Sequence, residues 1–253
     1  MRIIRSIEEW RDIFRYHKRE RRSVGLVPTM GALHDAHISL VKASMEENDL
    51  TAVSIFVNPT QFNNPDDLNN YPLTWDEDVR KLEEAGVDYL LYPSYEDMYR
   101  DGYKYKLIET DYSQDLCGTA RPGHFDGVLS VVMKLINITK ATRAYFGEKD
   151  WQQYRLIAGM AEAFFLDTEI IPCPIVREES GLAMSSRNKM LTPEELEIAP
   201  NFNRIITSGK SINEMKAELE SLGMKVDYLK EKEGRIFGAV FLGKARLIDN
   251  VPL

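Results

Sequence analysis

Hydrophobic residues recur along the chain with two different spacings. Short apolar runs of the kind that form buried strands occur at residues 23–29, 50–57, 87–93 and 143–147. Segments with apolar residues at helical spacing lie between or after them, at residues 38–48, 74–86, 126–140 and 150–165. This alternation of strands and helices predicts a parallel β-sheet with helices packed on its faces.

The pattern changes after about residue 175. A polar segment leads into a helix that Thr192 caps and Pro193 opens. Further apolar runs predict strands at residues 224–231, 234–242 and 245–250. We therefore predict an α/β protein with a Rossmann-like parallel-sheet domain over residues 1–175 and a smaller C-terminal α+β lid domain over residues 176–253.

Polar segments follow three of the predicted strands, with the sequences PTMGALHDAH, NPTQFNNPDD and GEKDWQQ. Ligands of parallel sheets bind beyond the carboxyl ends of the strands. These three segments are therefore the predicted position of the functional site.

Two histidines three residues apart belong to the first polar segment. Gly31 suits a tight turn, and His34 and His37 would lie on one face of the helix that follows. A zinc site would need further ligands, and the chain has neither an H-E-x-x-H nor a paired-cysteine motif. Phosphate binding at the helix start is the favoured interpretation, and two surface histidines remain the alternative.

The other polar segments offer groups that suit a phosphorylated and hydroxylated ligand. Lys149 can meet phosphate oxygens and Asp150 can accept from ribose hydroxyls, although a helix cap with a neighbouring lysine has the same sequence. Gln61 and Gln153 are neutral hydrogen-bonding groups that could hold a hydroxylated substrate. A later polar loop could clamp a triphosphate or be a plain linker, and it contains Ser185, Ser186 and Arg187.

Composition narrows the classes of partner. A net charge of -8 and a pI near 5.2 argue against a nucleic-acid-binding surface. The N-terminus lacks the apolar core of a signal peptide, and no apolar run approaches transmembrane length, so we expect no membrane partner. Cys117 and Cys173 lie far apart and form no C-x-x-C motif, which fits a reducing compartment. These features predict a cytoplasmic protein that binds small molecules.

Five segments resemble, in order, the signature segments of the pantothenate synthetase (pantoate–β-alanine ligase) family: VPTMGALHDAH, FVNPTQF, RPGHFDGV, YFGEKDWQQ and GLAMSSRN. The resemblance runs from about residue 24 to 191 and returns at ARLIDN, residues 245–250. It implies the fold of the nucleotidylyl transferase superfamily, whose H-x-G-H motif corresponds to His34 to His37. It also implies ATP-dependent condensation of pantoate with β-alanine through a pantoyl adenylate, which yields pantothenate, AMP and pyrophosphate.

The resemblance further implies roles for individual residues. Phosphate handling in catalysis is implied for His34, His37, Lys149, Ser185, Ser186 and Arg187. Pantoate contacts are implied for Met30, Gln61, Gln153, Asn58 and Tyr71. Adenosine contacts are implied for Phe146, Gly147, Asp150 and Val176. Mg²⁺ is expected to accompany ATP with Asp78 or Glu77 as possible ligands, and the protein is expected to be a homodimer.

The chain departs from the family pattern in three respects. Ala36 stands at the glycine of H-x-G-H, Leu73 stands where many members carry arginine, and the C-terminal domain is shorter than usual. Two other functions therefore stay open, a nucleotidylyltransferase of the same superfamily and a non-catalytic nucleotide-binding derivative. Gln61 and Gln153 favour the ligase, because a phosphate acceptor would call for cations at those positions.

Overall fold

The computed structural model describes residues 1–253 and contains two β-sheets. The strands of the large sheet are β1 (Arg2–Ile4), β2 (Val24–Thr29), β3 (Leu50–Ile55), β4 (Tyr89–Leu91), β5 (Arg143–Gly147) and β6 (Glu169–Cys173). Those of the small sheet are β7 (Lys225–Lys232), β8 (Arg235–Leu242) and β9 (Ala245–Pro252).

Helices connect these strands. Those that precede β6 are α1 (Ile7–Arg19), α2 (Asp35–Glu47), α3 (Pro65–Asn69), α4 (Trp75–Ala85), α5 (Tyr95–Met98), α6 (Cys117–Ala120), α7 (His124–Thr139) and α8 (Trp151–Ala163). Those that follow it are α9 (Pro193–Ile198), α10 (Asn201–Ile206) and α11 (Ile212–Ser221). Short 3-10 turns occupy Pro59–Gln61, Tyr112–Gln114, Glu148–Asp150 and Ser186–Met190. No helix is both long and apolar enough to cross a bilayer.

The large sheet is parallel throughout, with the strand order β1-β4-β3-β2-β5-β6. The chain moves outward from β2 through β3 to β4 and then returns to the other side of β2 as β5. The strand order therefore reverses between β2 and β5, which is the position where open α/β sheets form a ligand crevice. The segments after these two strands contain His34, His37 and Lys149.

Helices cover both faces of the large sheet, as the alternating pattern predicted. Leu26 and Val27, neighbours in β2, enter opposite cores because successive side chains of a strand point to opposite faces. Helices α1, α7 and α8 pack in the core that contains Leu26, and α2 and α4 pack in the one that contains Val27. The predicted Rossmann-like fold is confirmed.

Two strands were not predicted from the sequence, and both lie at the edges of the large sheet. Strands β1 and β6 each have one fully buried residue, Ile4 and Cys173, while their other side chains are exposed or half-buried. An edge strand does not need a continuous apolar run, so hydrophobic spacing gave little signal there.

The small domain is an antiparallel sheet in the order β7-β8-β9, covered by α10 and α11. The predicted helix start at Thr192 is confirmed, since Thr192 and Glu195 form a reciprocal capping box. The division at residues 175 and 176 stays a prediction. The last strand of the large sheet ends at Cys173, and the first buried residue of the small-domain core is Leu182.

Candidate active site

A cavity of about 270 Å³ lies between the carboxyl edge of the large sheet and the small domain. Segments that follow β2, β3 and β5 line one side, and residues of β7, β8 and β9 line the other. The cavity therefore coincides with the point where the strand order reverses. Most of the residues predicted to bind substrate lie on its wall.

A buried carboxylate fixes the conformation of the turn between β2 and α2. Gly31 and Ala32 both adopt positive φ angles, of 84° and 51°. Asp78 of α4, only 2% exposed, accepts hydrogen bonds from the backbone N–H groups of Ala32 at 2.9 Å and Leu33 at 2.7 Å and from the Thr74 hydroxyl at 3.1 Å. Its carboxylate thus fixes the strained turn from which α2 begins.

His34 and His37 lie at the first turn of α2, with ring centroids 4.1 Å apart. The backbone N–H of His34 donates to Nδ1 of His37 at 3.3 Å, so the neutral His37 ring carries its proton on Nε2. Burial and the charge of Lys149 together lower the pKa of His34 to about 4, and burial with the neighbouring His34 and Lys149 lowers the pKa of His37 to about 3. Both rings are therefore neutral at physiological pH and add hydrogen-bonding groups to the helix start.

We expect these depressed pKa values to make the protein lose stability in mild acid. An unfolded histidine takes up a proton near pH 6.5, whereas burial holds the pKa of His34 near 4 and those of His37 and His124 near 3. The unfolded state then binds more protons, and the free energy of unfolding falls as the pH drops from 6.5 toward 4. Denaturant midpoints measured at steps of half a pH unit test this.

His124→Asn provides the control. In the wild type Nδ1–H of His124 donates to the carbonyl of Gln61, and an asparagine amide can donate to the same carbonyl but does not titrate. Its unfolding free energy should depend less on pH in this range, by about 1.4 kcal/mol per pH unit. An unchanged slope would contradict the assignment of His124 as a neutral buried base.

The cavity is also lined by Gly147, the last residue of β5, and by Lys149 and Asp150 of the turn that follows it. The ammonium of Lys149 lies 3.2 Å from Oδ2 of Asp150. Burial raises the pKa of Asp150, but the neighbouring Lys149 outweighs it and the net shift is downward. A Cβ added to Gly147 would meet no protein atom within 4 Å, so packing does not require glycine there. The backbone at Gly147 is therefore open to the cavity, where a side chain would otherwise stand.

Gln61 lies on the cavity wall together with Met30. Its Oε1 accepts from Nδ2 of Asn58 at 3.0 Å, and its Nε2 lies 3.2 Å from Sδ of Met30. Asn58 is 1% exposed and also donates to the carbonyl of Gly127 at 3.2 Å. Asn58 therefore orients Gln61 from behind and does not line the cavity.

The adjacent glutamines of α8 have different roles. Gln152 is 5% exposed and bonds to the backbone of Tyr112, Asp115 and Cys117, so it fixes the segment before α7. Gln153 lines the cavity and makes no side-chain hydrogen bond within the protein. Only the second glutamine is available to a ligand.

The Ser185–Arg187 loop reaches the cavity from the side of the small domain. The hydroxyl of Ser185 accepts from the backbone N–H of Arg187 at 3.3 Å and opens the 3-10 turn. The guanidinium of Arg187 pairs with Asp67 of α3 at 3.2 Å. The loop is thereby tied to the large domain, with its two serine residues and Arg187 on the cavity wall. Burial raises the pKa of Tyr71, which also lines this part.

Sequence reasoning missed a second group of cavity residues, Arg121 and His124. A guanidinium N–H of Arg121 meets Nε2 of His124 at 3.1 Å, and Nδ1–H of His124 donates to the carbonyl of Gln61 at 2.8 Å. No carboxylate lies within ion-pair distance of Arg121, and burial together with Arg187 lowers its pKa to about 10. Both residues belong to the segment RPGHFDGV. They precede the residues with helical spacing, so the hydrophobic pattern did not single them out.

Four residues predicted for the site lie outside the cavity wall: Asn58, Val176, Asp78 and Glu77. Asn58 supports Gln61, and the carbonyl of Val176 accepts from the N–H of Met184 at 3.0 Å. Asp78 is committed to the turn before α2, and Glu77 pairs with Lys81 at 2.7 Å. Asp78 and Glu77 thus make their contacts within the protein, and their role as metal ligands stays a prediction.

The positions that depart from the family pattern differ in their surroundings. Ala36 lines the cavity, as the two histidines on either side of it do. Leu73 is 80% exposed and lies outside the cavity wall.

The charges of the cavity favour anionic ligands in spite of the acidic chain. Its cationic side chains are Lys149, Arg121, Arg187 and Arg246. Its two carboxylates, Asp150 and Asp249, are both paired with cations, the second with Arg177 at 2.6 Å. The cavity thus combines a cationic wall, two neutral imidazoles and the start of α2, which suits the binding of several phosphate groups.

Comparisons with known proteins give one consistent result. A sequence model of the family described as pantoate-beta-alanine ligase matches residues 2–252. A pantothenate synthetase of Bdellovibrio bacteriovorus is 53% identical over 251 residues, which cover 99% of each chain. A pantothenate synthetase of Legionella pneumophila is 51% identical over 253 residues, which cover 100% of both chains.

Solved structures give the same picture. The crystal structure of a pantoate-beta-alanine ligase from Francisella tularensis, complexed with beta-gamma ATP and beta-alanine, matches with a TM-score of 0.94 and 44% identity. The match covers 100% of this chain and 97% of that one. The pantothenate synthetase of Thermus thermophilus matches with a TM-score of 0.90 and 36% identity, over 100% and 99% of the two chains.

Proposed function

The chain belongs to the pantoate–β-alanine ligase family, and from this premise we propose that its cavity catalyses the ATP-dependent condensation of pantoate with β-alanine. The enzyme is an AMP-forming carbon–nitrogen ligase whose product is pantothenate. The observation that carries the proposed site is the convergence of His34, His37, Lys149 and Gln61 on one cavity at the point where the strand order reverses.

The first step is the attack of a pantoate carboxylate oxygen on the α-phosphorus of ATP. The new P–O bond forms as the bond to the β-phosphate oxygen breaks, and negative charge passes to the departing pyrophosphate. His34 and His37, neutral and hydrogen-bonding, and the ammonium of Lys149 can stabilise that charge without moving. Ser185, Ser186 and Arg187 can hold the outer phosphates, and the tie of Arg187 to Asp67 keeps that loop at the cavity.

Adenosine fits the segment after β5. Phe146 and Gly147 line the cavity, and the absence of a side chain at Gly147 permits close contact with the backbone. The carboxylate of Asp150 can accept from ribose hydroxyls, because it is ionised and about half exposed.

Pantoate fits between Met30, Gln61 and Gln153. Gln153 has a free carboxamide, and Gln61 is held in a fixed orientation by Asn58. These neutral groups can bond the hydroxyl and carboxylate oxygens, while Met30 packs against the apolar carbon body. Neutral amides also argue against a phosphorylated acceptor, which favours the ligase over a nucleotidylyltransferase. Tyr71 closes the same wall.

In the second step the β-alanine amine attacks the acyl carbon, and AMP leaves. Arg121 is the cavity cation that has no carboxylate partner in the protein, so we assign it to the β-alanine carboxylate. Its own contacts are His124 and the carbonyl of Gln61, which place it beside the residues proposed to hold pantoate.

Arg121→Gln is expected to raise the β-alanine concentration needed for half-maximal rate by about 10- to 100-fold, the usual value of one charged hydrogen bond. Pantoate-dependent pyrophosphate release without β-alanine should change little. Initial rates at varied β-alanine measure the first quantity. Arg80→Gln, which removes an exposed arginine of α4, is the matched control. If the pantoate requirement rises instead, Arg121 acts by supporting Gln61.

We propose that Mg²⁺ accompanies ATP as its counter-ion. The chain contains no group of three or more His, Cys, Asp or Glu side chains that could hold a metal. Mg²⁺ commonly binds through substrate phosphates with one or two protein carboxylates, and Asp150 is the cavity carboxylate nearest to the phosphate-binding lysine. When bound, the ion would neutralise phosphate charge, and the side chains described above would position the substrates.

Two wider expectations rest on the family. We propose a homodimer, which sedimentation of the purified protein tests directly. We also propose a cytoplasmic location, supported by two cysteines that are both buried and free of a disulfide.

The proposed function is tested by measuring pyrophosphate release from Mg·ATP with pantoate, with and without β-alanine, and by identifying the products by mass. We expect sustained turnover only with β-alanine, giving AMP and pantothenate. A product that retains the nucleotide would favour the nucleotidylyltransferase. ATP binding without pantoate-dependent release would favour the non-catalytic derivative.

A further inference from the structure

One buried side chain of the small domain bonds directly to the backbone that carries Lys149. Asn250 of β9 is 2% exposed. Its Nδ2 donates to the carbonyl oxygens of Glu148 at 2.8 Å and Lys149 at 3.0 Å, and its Oδ1 accepts from Nε of Arg235 at 2.8 Å. Both amide protons and the carboxamide oxygen are therefore used within the protein, and the side chain has no donor left for a substrate.

Arg235 strengthens the same connection. Its guanidinium lies 4.1 Å from the ring centroid of Trp151, the first residue of α8, and 3.9 Å from the carboxylate of Glu148. On one side, therefore, the Glu148–Asp150 turn and the start of α8 contact β8 through Arg235 and β9 through Asn250. It is continuous on its other side with β5, so its position depends on both domains.

The two domains are also joined at a second place. Asp115 of the large domain pairs with Lys230 at 2.7 Å and with Lys232 at 2.9 Å, both on β7. These partly exposed ion pairs hold the domains together but do not contact the Lys149 turn. Removing these ion pairs therefore weakens the association of the two domains without altering the contact that Asn250 makes.

We propose that Asn250 is a positioning residue for adenylate formation: it fixes the backbone of Lys149 and thereby sets where the ammonium meets the departing pyrophosphate. The inference rests on the proposed function. Asn250 belongs to the ARLIDN segment, and it acts through Lys149 and not on the substrate. A lysine free to shift by an ångström loses much of its effect in a transition state while it still attracts ATP.

Asn250→Ala tests the proposal, and Asn250→Ser, which keeps one donor, is the second variant in case the first folds poorly. We expect pantoate-dependent pyrophosphate release to fall by about 100-fold in Asn250→Ala and less in Asn250→Ser. The ATP dissociation constant should stay within about threefold of wild type. The double replacement Lys230→Ala with Lys232→Ala is the control and should retain the wild-type rate.

A double-mutant cycle with Lys149 separates positioning from a general structural role. In a Lys149→Ala background, Asn250→Ala should slow release by less than about threefold, because the group that it positions is already absent. Losses that multiply would overturn the proposal, as would equal losses of rate and ATP affinity, or a slow Lys230/Lys232 variant. An active wild-type enzyme with an unaffected Asn250→Ala overturns this inference alone, whereas an inactive wild type overturns the proposed function as well.

Discussion

Lys149→Ala is expected to slow pantoyl adenylate formation by about 10³-fold, the upper end of what removal of one preorganised donor costs. Lys149 is the cation that follows β5 on the cavity wall, and its charge reaches both His34 and His37. Because negative charge grows on the leaving pyrophosphate, the loss should fall mainly on the rate. The ATP dissociation constant should rise by less than about tenfold.

Single-turnover release of pyrophosphate and equilibrium binding of ATP measure the two quantities separately. Lys42→Ala removes the same charge from an exposed position on α2 and is the matched control. Equal losses in rate and in affinity would show that Lys149 binds ATP without preference for the transition state.

Gly127→Ala is expected to disturb the proposed pantoate site by displacing the backbone that carries Gln61. A Cβ at Gly127 of α7 would lie 2.4 Å from the carbonyl oxygen of Thr60 and 2.7 Å from the backbone N of Gln61. Backbone atoms cannot rotate away, so α7 and the Pro59–Gln61 turn must separate. The bond from Asn58 to the carbonyl of Gly127 would be strained by the same movement. Such overpacking usually lowers the free energy of unfolding by about 1–3 kcal/mol.

The displaced Gln61 should raise the pantoate concentration needed for half-maximal rate by about 100-fold. Gly159→Ala is the matched control, since an added Cβ in this exposed part of α8 meets no atom within 4 Å. That change should stabilise the protein by about 0.5–1 kcal/mol, as expected for glycine in a helix interior. Denaturant unfolding measures the change in the free energy of unfolding, and pantoate saturation curves measure the change in the pantoate requirement. A Gly127→Ala variant with the stability and pantoate requirement of Gly159→Ala would contradict the packing argument.

The sequence predicted the parts of this protein whose signals are local. Alternating spacings identified the central strands and the helices that cover them, and the confirmed fold brings the polar segments after β2 and β5 together. His34, His37 and Lys149 could be named because each follows a buried strand closely. The two edge strands were missed since pairing on one side demands little of their side chains.

The parts that were missed depend on contacts between distant segments. Asp78 follows Asp76 and Glu77 in a helix start that reads as solvent-exposed, and only the docking of α4 buries it against the turn before α2. Asn58 was assigned to the cavity because it matches a family position at the pantoate pocket, whereas here it bonds to Gln61 and to the carbonyl of Gly127 in α7, behind the cavity wall. Arg121 lies in the short connection between the four-residue α6 and the start of α7, where hydrophobic spacing does not indicate the direction of a side chain.

The bond between Asp78 and the turn at Ala32 and Leu33 also determines when this site can form during synthesis. Leu33 and Asp78 are 45 residues apart, so a chain leaving the ribosome presents both histidines long before the carboxylate that holds their turn. Until α4 has folded, Ala32 lacks the support for its positive φ angle, and the loop to Asp78 must first be closed. The nascent chain therefore carries the residues proposed to bind phosphate before the turn that positions them can form, and we expect nucleotide binding to begin only after α4 has folded.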